Sequence, residues 1–371
     1  MNVAIITAYA EKILASRPEL VSSIQKTGAC LYVMGPEPDE LAAPILTRHN
    51  IIYVQLPLTR RNVNPFKELQ SLNKISVVFI KNKIDCLLVY GVRMFPSVVL
   101  AARKAGVKRV VCVVNGAGNL FMLSGVKGFL ARRMGFPMLR RAFAKADAVI
   151  FQNNDDYAEM KSLRLVDVNT NVGFTNGSGV NLERFSRTPL PDNHVVLIVT
   201  RLAPGKGIDE FVAAARIVNK KHPEAKFKIV GPKDTNAGID WVALNAAERD
   251  GIIEYQGESD NIFQHLSSCR IFAFPSYYRE GVPRCVLEAM AIGRPIITTD
   301  VQGCRETVED SVNGFLLPPR DVDALSERIL WLLSNPEQAA TMGEASRRYA
   351  ELKFDIHKVN AHIIEALKLK N

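Results

Sequence analysis

The sequence predicts an α/β protein built on parallel β-sheets and divided into domains. Short runs rich in β-branched residues alternate with amphipathic stretches along the whole chain, a pattern typical of parallel sheets with helical crossovers. The 371 residues leave room for two or three domains of about 150 residues each. Residues 175–192 are rich in Gly, Pro and Ser and lie where the charge balance changes sign, so a domain boundary is expected there.

The predicted elements follow one another in regular order. In the first half, strands are expected at residues 3–7, 30–34, 51–55, 86–90, 110–114 and 148–152. In the second half, they are expected at residues 194–200, 226–230, 252–255, 271–275 and 296–299. The amphipathic stretches predict helices, among them 96–105, 208–220, 322–333 and 354–370.

The composition excludes several classes of protein. A chain of this length that is 47% hydrophobic buries a large core, which excludes disordered, collagen-like and disulfide-dense classes. No apolar run approaches the roughly 18 residues of a membrane span, and the first residues lack the basic region of a signal peptide. Six scattered cysteines, none in a C-x-x-C pair, argue against zinc knuckles and disulfides. We therefore expect a protein of the reducing cytoplasm.

Positive charge is concentrated in the first half of the chain. Residues 1–190 carry 25 Lys and Arg against 13 Asp and Glu, whereas residues 191–371 carry 22 against 25. The formal net charge of +9 therefore combines a strongly basic half with a slightly acidic one. This asymmetry indicates that the first half faces an anionic partner, which could be nucleic acid, a membrane surface or an acidic ligand.

A short loop in the second half has the features of a phosphate-binding loop. The predicted strand 194–200 runs into Arg201-Leu-Ala-Pro-Gly-Lys206-Gly207, and a helix is expected from residue 208. Ligands of parallel sheets bind at the carboxyl ends of strands, where the free N–H groups of a helix N-terminus attract phosphate. A solvated basic turn would explain the same residues, and the Walker A pattern is absent.

Two glutamates follow the predicted strand 271–275. Glu280 lies in the loop after this strand, and Glu288 lies in the next predicted helix. The neighbours of Glu288 are apolar almost all round the helix, which predicts a largely buried carboxylate. Because a buried carboxylate must be hydrogen-bonded, it pairs either with an arginine such as Arg201 or Arg294 or with the hydroxyl groups of a ligand.

Together, these segments resemble glycosyltransferase family 4. Four motifs carry the resemblance over residues 176–345, in the order and spacing of the family: the strand–Arg-x4-Lys-Gly–helix loop at Arg201 and Lys206, the Glu-x7-Glu motif at Glu280 and Glu288, Gly303-x-x-Glu306, and residues 313–319. The resemblance implies an α/β protein of the GT-B fold, in which two Rossmann-like domains with parallel sheets face each other across a cleft. It implies an acceptor domain at residues 1–185, joined by a C-terminal helix at 354–371, and a donor domain at 190–350.

The resemblance also implies the chemistry, which is retaining transfer of a sugar from a UDP-sugar without a metal or another cofactor. It assigns roles to six residues of the donor domain: diphosphate binding to Arg201 and Lys206, ribose binding to Glu288, contact with the transferred sugar to Glu280, and backbone N–H support to Gly281 and Val282. Of these, Glu280, Arg201 and Lys206 are the expected catalytic residues. Two cations at a helix N-terminus can supply the positive charge that a metal supplies to the leaving diphosphate in other glycosyltransferases.

The first half is similar to bacterial N-acetylhexosaminyltransferases that extend a sugar on undecaprenyl diphosphate during O-antigen or glycan assembly. The similar segments are residues 60–66, 115–119 and 151–155. Many family members place a catalytic-loop His where this chain has Asn115-Gly116. Asn115 is therefore the expected acceptor-side substitute, with a plain turn as the alternative.

Residues 126–146 hold six cations and no acid, with large apolar side chains between them. The cations are Lys127, Arg132, Arg133, Arg140, Arg141 and Lys145. Such a segment suits a helix that lies in the interface of an anionic membrane, although a pair of core-packing helices with a basic outer side is the alternative. Nucleic acid is not expected as a partner, because no nucleic-acid-binding motif accompanies the charge.

The sequence therefore predicts a peripheral enzyme on the cytoplasmic face of the inner membrane, acting on a polyprenyl-diphosphate-linked acceptor. Two alternatives stay open, which are the same fold acting on a soluble acceptor and a nucleotide-sugar-binding protein without transfer activity. Asp321-Val-Asp323 could be mistaken for a metal-binding Asp-x-Asp motif. N-terminal capping of a helix explains it better, because it follows a Pro-Pro-Arg stretch and precedes a predicted helix.

Overall fold

The computed structural model describes residues 1–58, 65–117, 121, 125–234, 238–279 and 281–369, without the side chains of residues 65–70, 126 and 127. Glu280 lies outside the described residues, as do residues 60–64 and 118–119 of the two segments singled out in the first half. The chain divides into two compact units, one formed by Met1–Ser178 with the segment from His357 onwards, and one by Gly179–Ile356.

The first unit is built on a seven-stranded parallel sheet in the order β3-β2-β1-β4-β5-β6-β7. Its strands are β1 Asn2–Ile6, β2 Cys30–Gly35, β3 Ile52–Gln55, β4 Cys86–Tyr90, β5 Arg109–Val114, β6 Ala148–Phe151 and β7 Val172–Phe174. The central strands β1, β4 and β5 are buried along nearly their whole length, as expected for a sheet covered by helices on both faces.

Helices cover both faces of this sheet. They are α1 Ile13–Ser16, α2 Pro18–Lys26, α3 Asp39–Thr47, α4 Pro65–Lys81, α5 Phe95–Lys104, α6 Gly125–Lys145, α7 Asn154–Ser162 and, from the C-terminus, α14 Ile356–Leu367. The last helix packs Val359 and Ile363 into the first unit's core, and Arg109 Nε donates to the Ala366 carbonyl at 2.8 Å. Phe354 instead belongs to the core of the second unit, so the C-terminal segment of the first unit begins a few residues later than residue 354.

The second unit has a six-stranded parallel sheet in the order β10-β9-β8-β11-β12-β13. Its strands are β8 Val195–Val199, β9 Lys226–Val230, β10 Glu254–Tyr255, β11 Ile271–Phe274, β12 Ile296–Thr299 and β13 Gly314–Leu317. Its helices are α8 Ile208–Lys221, α9 Trp241–Arg249, α10 Ile262–Ser268, α11 Arg284–Ile292, α12 Val322–Ser334 and α13 Pro336–Lys353. The sequence order reverses between β8 and β11, which is the position where parallel sheets bind ligands.

The predicted strands are confirmed to within a few residues at each end, and β7 and β13 were not predicted. Both lie at an edge of their sheets, and each contains a glycine, a residue that is depleted in strands. Among the described residues, no helix is both long enough and apolar enough to cross a membrane.

Candidate active site

The loop between β8 and α8 is held in place by the two strands that flank β8. Leu202 N–H donates to the Pro232 carbonyl after β9 at 3.0 Å. On the other side, the Gly205 carbonyl accepts N–H bonds from Tyr277 at 2.8 Å and from Tyr278 at 2.9 Å, both after β11. The predicted arrangement of strand, loop and helix start is therefore confirmed, and the loop has a fixed position at the carboxyl edge of the sheet.

Gly207 allows the backbone of the loop to pass close to the end of β11 at the point where α8 begins. It is the N-cap of α8 with φ +77°, and a Cβ atom there would lie 2.2 Å from the Pro275 carbonyl oxygen. A backbone oxygen at the end of a buried strand cannot move away without disturbing the sheet. Any side chain at this position is therefore excluded by sterics as well as by backbone conformation.

We expect Gly207→Ala to lower the free energy of unfolding by more than about 3 kcal/mol, because the strain of a left-handed alanine and the clash with the backbone of Pro275 destabilise the folded state together. Gly257→Ala is the matched control, since Gly257 has φ +74° but no atom within 4 Å of the added Cβ. The control should lose only about 1–2 kcal/mol in urea unfolding. Equal losses in the two variants would show that the Pro275 contact is unimportant.

The two cations of the loop point toward different neighbours. Arg201 Nη1 lies 3.1 Å from Asp234 Oδ2 after β9, and the arginine side chain is 55% exposed. The Lys206 ammonium lies 5.0 Å from the centroid of the Tyr278 ring and 6.0 Å from that of Phe274. Both cations therefore line the same edge of the sheet, one on the β9 side and one on the β11 side.

Glu288 is largely buried, as predicted, but its arginine partner was predicted wrongly. The side chain is 12% exposed, and Oε1 lies 3.3 Å from Nη2 of Arg284, one helical turn earlier on α11. Arg201 pairs with Asp234 instead. Arg294 is fully buried and donates to the main-chain carbonyls of Leu266 and Pro189 and to the Thr188 hydroxyl. Residues four positions apart lie next to each other on a helix, and this spacing brings Arg284 within reach of Glu288.

Arg201, Lys206 and Glu288 meet at one cavity of about 330 Å³ in the second unit. The cavity is lined by Val199, Thr200, Arg201, Lys206, Gly231, Pro232, Glu258, Ser259, Ile262, Phe274, Pro283, Arg284, Cys285 and Glu288. These residues come from the segments at the carboxyl ends of β8, β9, β10 and β11, from the start of α10, and from α11 with the proline before it. The cavity lies within one unit and combines cations with a largely buried carboxylate.

The other predicted site residues have different positions. Gly281 and Val282 precede the lining residue Pro283 but are not among the described residues that line the cavity. Glu280 lies outside the described residues. Asn115 belongs to the first unit, where it is exposed directly after β5 and is followed by Gly116 with φ +115°.

Several lining residues were not predicted from the sequence. Gly231 and Pro232 follow β9, and Glu258 and Ser259 follow β10. Their signal was available, because Gly231 and Pro232 directly follow one predicted strand and Glu258 and Ser259 lie a few residues after the next, and the carboxyl ends of neighbouring parallel strands share one edge. The strand order, which places β9 beside β8 and β10 beside β9, could not be read from the sequence.

Two further motif residues of the second unit, Asp321 and Glu306, have partners within that unit. The Asp321 side chain accepts the Ala324 N–H at 2.9 Å, which confirms it as the cap of α12. Glu306 lies 2.8 Å from the Lys353 ammonium; burial alone would lower the pKa of this lysine, but the bond to Glu306 raises it. Among the described residues, no group of three or more His, Cys, Asp or Glu side chains could hold a metal ion.

The basic segment of the first unit forms the single helix α6, whose two halves differ. The C-terminal half packs Leu139 and Phe143 into the core, whereas the N-terminal half exposes Phe129, Leu130 and Met134 by 58%, 52% and 43%. The cations Arg133, Arg140, Arg141 and Lys145 are exposed, Arg132 is half-buried, and the side chain of Lys127 lies outside the described part of the chain. The C-terminal half therefore packs into the core, as the alternative interpretation expects, and membrane contact by the exposed part of α6 stays a prediction.

The site and the fold together define a class of protein. A cationic loop at a helix N-terminus attracts phosphate, and a carboxylate in the same cavity can accept hydrogen bonds from hydroxyl groups. The fold is that of the GT-B glycosyltransferases: HepE of Anabaena, solved in complex with UDP, superimposes with a TM-score of 0.78 over 99% of this chain and 100% of that one, at 18% identity. The sucrose-phosphate synthase of Thermosynechococcus elongatus gives a TM-score of 0.79, covering 99% and 98%, at 19% identity.

The sequence comparisons agree with this class. Residues 181–349 match the model of the glycosyl transferases group 1, and residues 8–153 match that of the glycosyl transferase 4-like proteins. The chain belongs to the group 1 glycosyltransferases of family 4 type.

Two relatives indicate the range of substrates in this group. The N,N'-diacetylbacillosaminyl-diphospho-undecaprenol alpha-1,3-N-acetylgalactosaminyltransferase of Campylobacter jejuni is 26% identical over 314 residues, 80% of each chain. The GDP-mannose-dependent alpha-(1-6)-phosphatidylinositol monomannoside mannosyltransferase of Mycolicibacterium smegmatis is 27% identical over 284 residues, 72% of each chain. The two names differ in the sugar transferred and in the lipid that carries the acceptor.

Proposed function

We propose that this glycosyltransferase moves an N-acetylhexosamine from a UDP-sugar to a sugar acceptor linked to undecaprenyl diphosphate, with retention at the anomeric carbon and without a metal. The product would serve surface polysaccharide assembly, such as that of an O-antigen, or assembly of another glycan. The observation that carries the proposal is the cavity that joins Arg201, Lys206 and Glu288. The Campylobacter relative supports the acceptor and the sugar.

The cavity offers one group for each part of a nucleotide diphosphate. Arg201 and Lys206 would hold the diphosphate at the N-terminus of α8, where free N–H groups add positive potential. Glu288, which pairs with Arg284, would accept hydrogen bonds from the ribose hydroxyls. During transfer, negative charge grows on the leaving diphosphate, and the same two cations would stabilise it. Glu280, Gly281 and Val282 would contact the transferred sugar, and Asn115 the acceptor.

The identity of the base is the part of the donor proposal that is easiest to test. The Anabaena structure contains UDP, whereas the mycobacterial relative is named as dependent on GDP-mannose. Titration calorimetry of the purified protein with UDP and with GDP distinguishes them. We expect UDP to bind at least tenfold more tightly; preferential binding of GDP would overturn the uridine donor and leave the transferase proposal standing.

We propose that the first unit meets the lipid-linked acceptor at the membrane through α6. The exposed apolar side chains Phe129, Leu130 and Met134 lie on the N-terminal half of this helix near Arg133, and the other exposed cations extend the positive charge along its C-terminal half. Cations attract an anionic leaflet, and apolar side chains enter its interface. The enzyme would then be a peripheral protein on the cytoplasmic face of the inner membrane, and nucleic acid would not be a partner.

Replacing Arg132, Arg133, Arg140 and Arg141 by Gln should release the protein from anionic liposomes in a flotation assay. Each cation near an anionic surface contributes about 1 kcal/mol to membrane binding. The loss of four should therefore shift the partition of the protein between membrane and water by roughly 100-fold or more. UDP binding should be unchanged, because the cavity lies in the other unit. Wild-type binding should weaken with salt, since the Debye length is about 8 Å at physiological ionic strength.

The matched control removes the same charge from the second unit. Lys220, Lys221, Lys226 and Arg249 are exposed there, and their replacement by Gln should leave flotation unchanged. If the α6 variant floats as well as the wild type, α6 is not a membrane contact, and an acceptor in solution becomes the better proposal.

A further inference from the structure

Ser259 lines the cavity from the segment between β10 and α10, and β10 is the edge strand on the β9 side of the sheet. Lys206, Phe274 and Pro283 form the β11 side of the cavity, whereas Ser259 and Ile262 come from the segment after β10, at the far edge of the sheet. If the diphosphate lies on Arg201 and Lys206 and the ribose on Glu288, as proposed above, the part of the ligand left for the β10 end is the base. This inference rests on that proposed function.

The Ser259 hydroxyl already has two partners within the protein. Its oxygen accepts the backbone N–H of Asn261 at 3.2 Å, and it lies 3.1 Å from Nε2 of His265 on α10. His265 is half-buried, and burial, followed by the nearby Lys228 charge, lowers its pKa. A neutral imidazole carries one N–H, so the hydrogen bond to Ser259 can run in either direction.

The direction of this bond decides what Ser259 offers to a ligand. A hydroxyl group has one hydrogen and two acceptor sites. If the hydroxyl donated to the imidazole, its hydrogen would be consumed within the protein. If Nε2–H donates instead, both acceptor sites are filled, by Asn261 and by His265, and the hydroxyl hydrogen is left for the cavity.

We propose that His265 is a positioning residue that donates its Nε2–H to Ser259, so that the Ser259 hydroxyl donates to a carbonyl oxygen of the nucleotide base. His265 does not touch the ligand and acts only through Ser259. The bases of UDP and GDP both carry carbonyl oxygens, and the proposal concerns how such an oxygen is held. It adds a specific contact at the end of the donor opposite to the reacting carbon.

The test is a double-mutant cycle read by the dissociation constant of UDP. Ser259→Ala and His265→Leu should each weaken UDP binding about three- to tenfold, the effect of one hydrogen bond. The double variant should bind no more weakly than Ser259→Ala alone, because the histidine acts through the serine. His265→Gln, whose amide can donate at similar reach, should bind within about twofold of the wild type.

The outcomes are separable. Effects that multiply in the double variant, or a His265→Gln variant as weak as His265→Leu, would show that His265 only packs α10 and would overturn the inference. His222→Gln is the matched control, since His222 is also half-buried but pairs with Glu224 and does not line the cavity. If His265→Leu does not fold, His265→Asn, which is too short to reach Ser259, takes its place. Failure of the wild type to bind UDP would instead overturn the proposed donor.

Discussion

Replacing Lys206 by Ala is expected to lower kcat by about 100-fold or more while changing the donor KM by less than about fivefold. The ammonium lies where the leaving diphosphate would gain charge, and an interaction that strengthens toward the transition state appears in kcat rather than in KM. Arg201→Ala should act in the same direction. Steady-state kinetics over a range of donor concentrations measures both effects.

Lys233→Ala is the matched control for this prediction. Lys233 is an exposed cation at the end of β9 that rests on the rings of Trp241 and Tyr255 and does not line the cavity. Its removal should leave kcat within about twofold of the wild type, as is usual for a surface substitution. A Lys206→Ala enzyme with a raised KM and an intact kcat would contradict the assignment, because it would show that the lysine binds ground state and transition state equally.

Replacing Glu288 by Ala is expected to weaken UDP binding by about 10- to 100-fold, the equivalent of a lost hydrogen bond to a charged group. The carboxylate is only 12% exposed and lines the same cavity as both cations of the loop. Calorimetry with UDP measures the effect, and the unfolding transition shows whether the variant is folded.

The neighbouring Arg284 provides the control for this result. Removing Glu288 also releases Arg284, whose guanidinium lies 3.3 Å away. In Arg284→Ala the carboxylate stays, and UDP affinity should fall by less than about threefold, as expected for the loss of a half-exposed ion pair. If Arg284→Ala weakens UDP as much as Glu288→Ala does, the glutamate only orients the arginine, and the ribose assignment is wrong.

The fold and the loop between β8 and α8 could be predicted because their signals are local. A buried parallel strand is a continuous apolar run, so β8 and β11 are visible in the sequence, and the glycines of the loop stand between a strand and a helix that are both recognisable. The capping role of Asp321 was predicted for the same reason, because it depends on residues within one helical turn.

The missed features depend on contacts between distant segments. The sequence does not give the strand order, and without it Ser259 could not be placed beside Arg201, although both line one cavity. The partner of Glu288 is local, since Arg284 lies four residues earlier on α11, but Arg201 and Arg294 were the arginines considered; Arg294 instead donates to carbonyl oxygens. A guanidinium group has several N–H donors, and neutral carbonyl and hydroxyl oxygens can accept hydrogen bonds from all of them when the group is buried.

The helix α6 shows a second limit of the sequence pattern. A run of cations and large apolar residues suits both a membrane interface and a covered core. Only the structure separates the half that buries Leu139 and Phe143 from the half that exposes Phe129 and Leu130. Burial depends on what the neighbouring elements cover, which no local pattern reports.

Transfer to a lipid-linked acceptor is the measurement that tests the central claim most directly. The purified protein would be incubated in anionic liposomes with UDP-N-acetylgalactosamine or UDP-N-acetylglucosamine and a synthetic undecaprenyl-diphospho-sugar, and the lipid product analysed by mass spectrometry. The account predicts one added N-acetylhexosamine on the lipid-linked sugar, lost in Lys206→Ala and kept in Lys233→Ala. Release of the sugar to water alone, or transfer to a soluble sugar with none to the lipid, would contradict it.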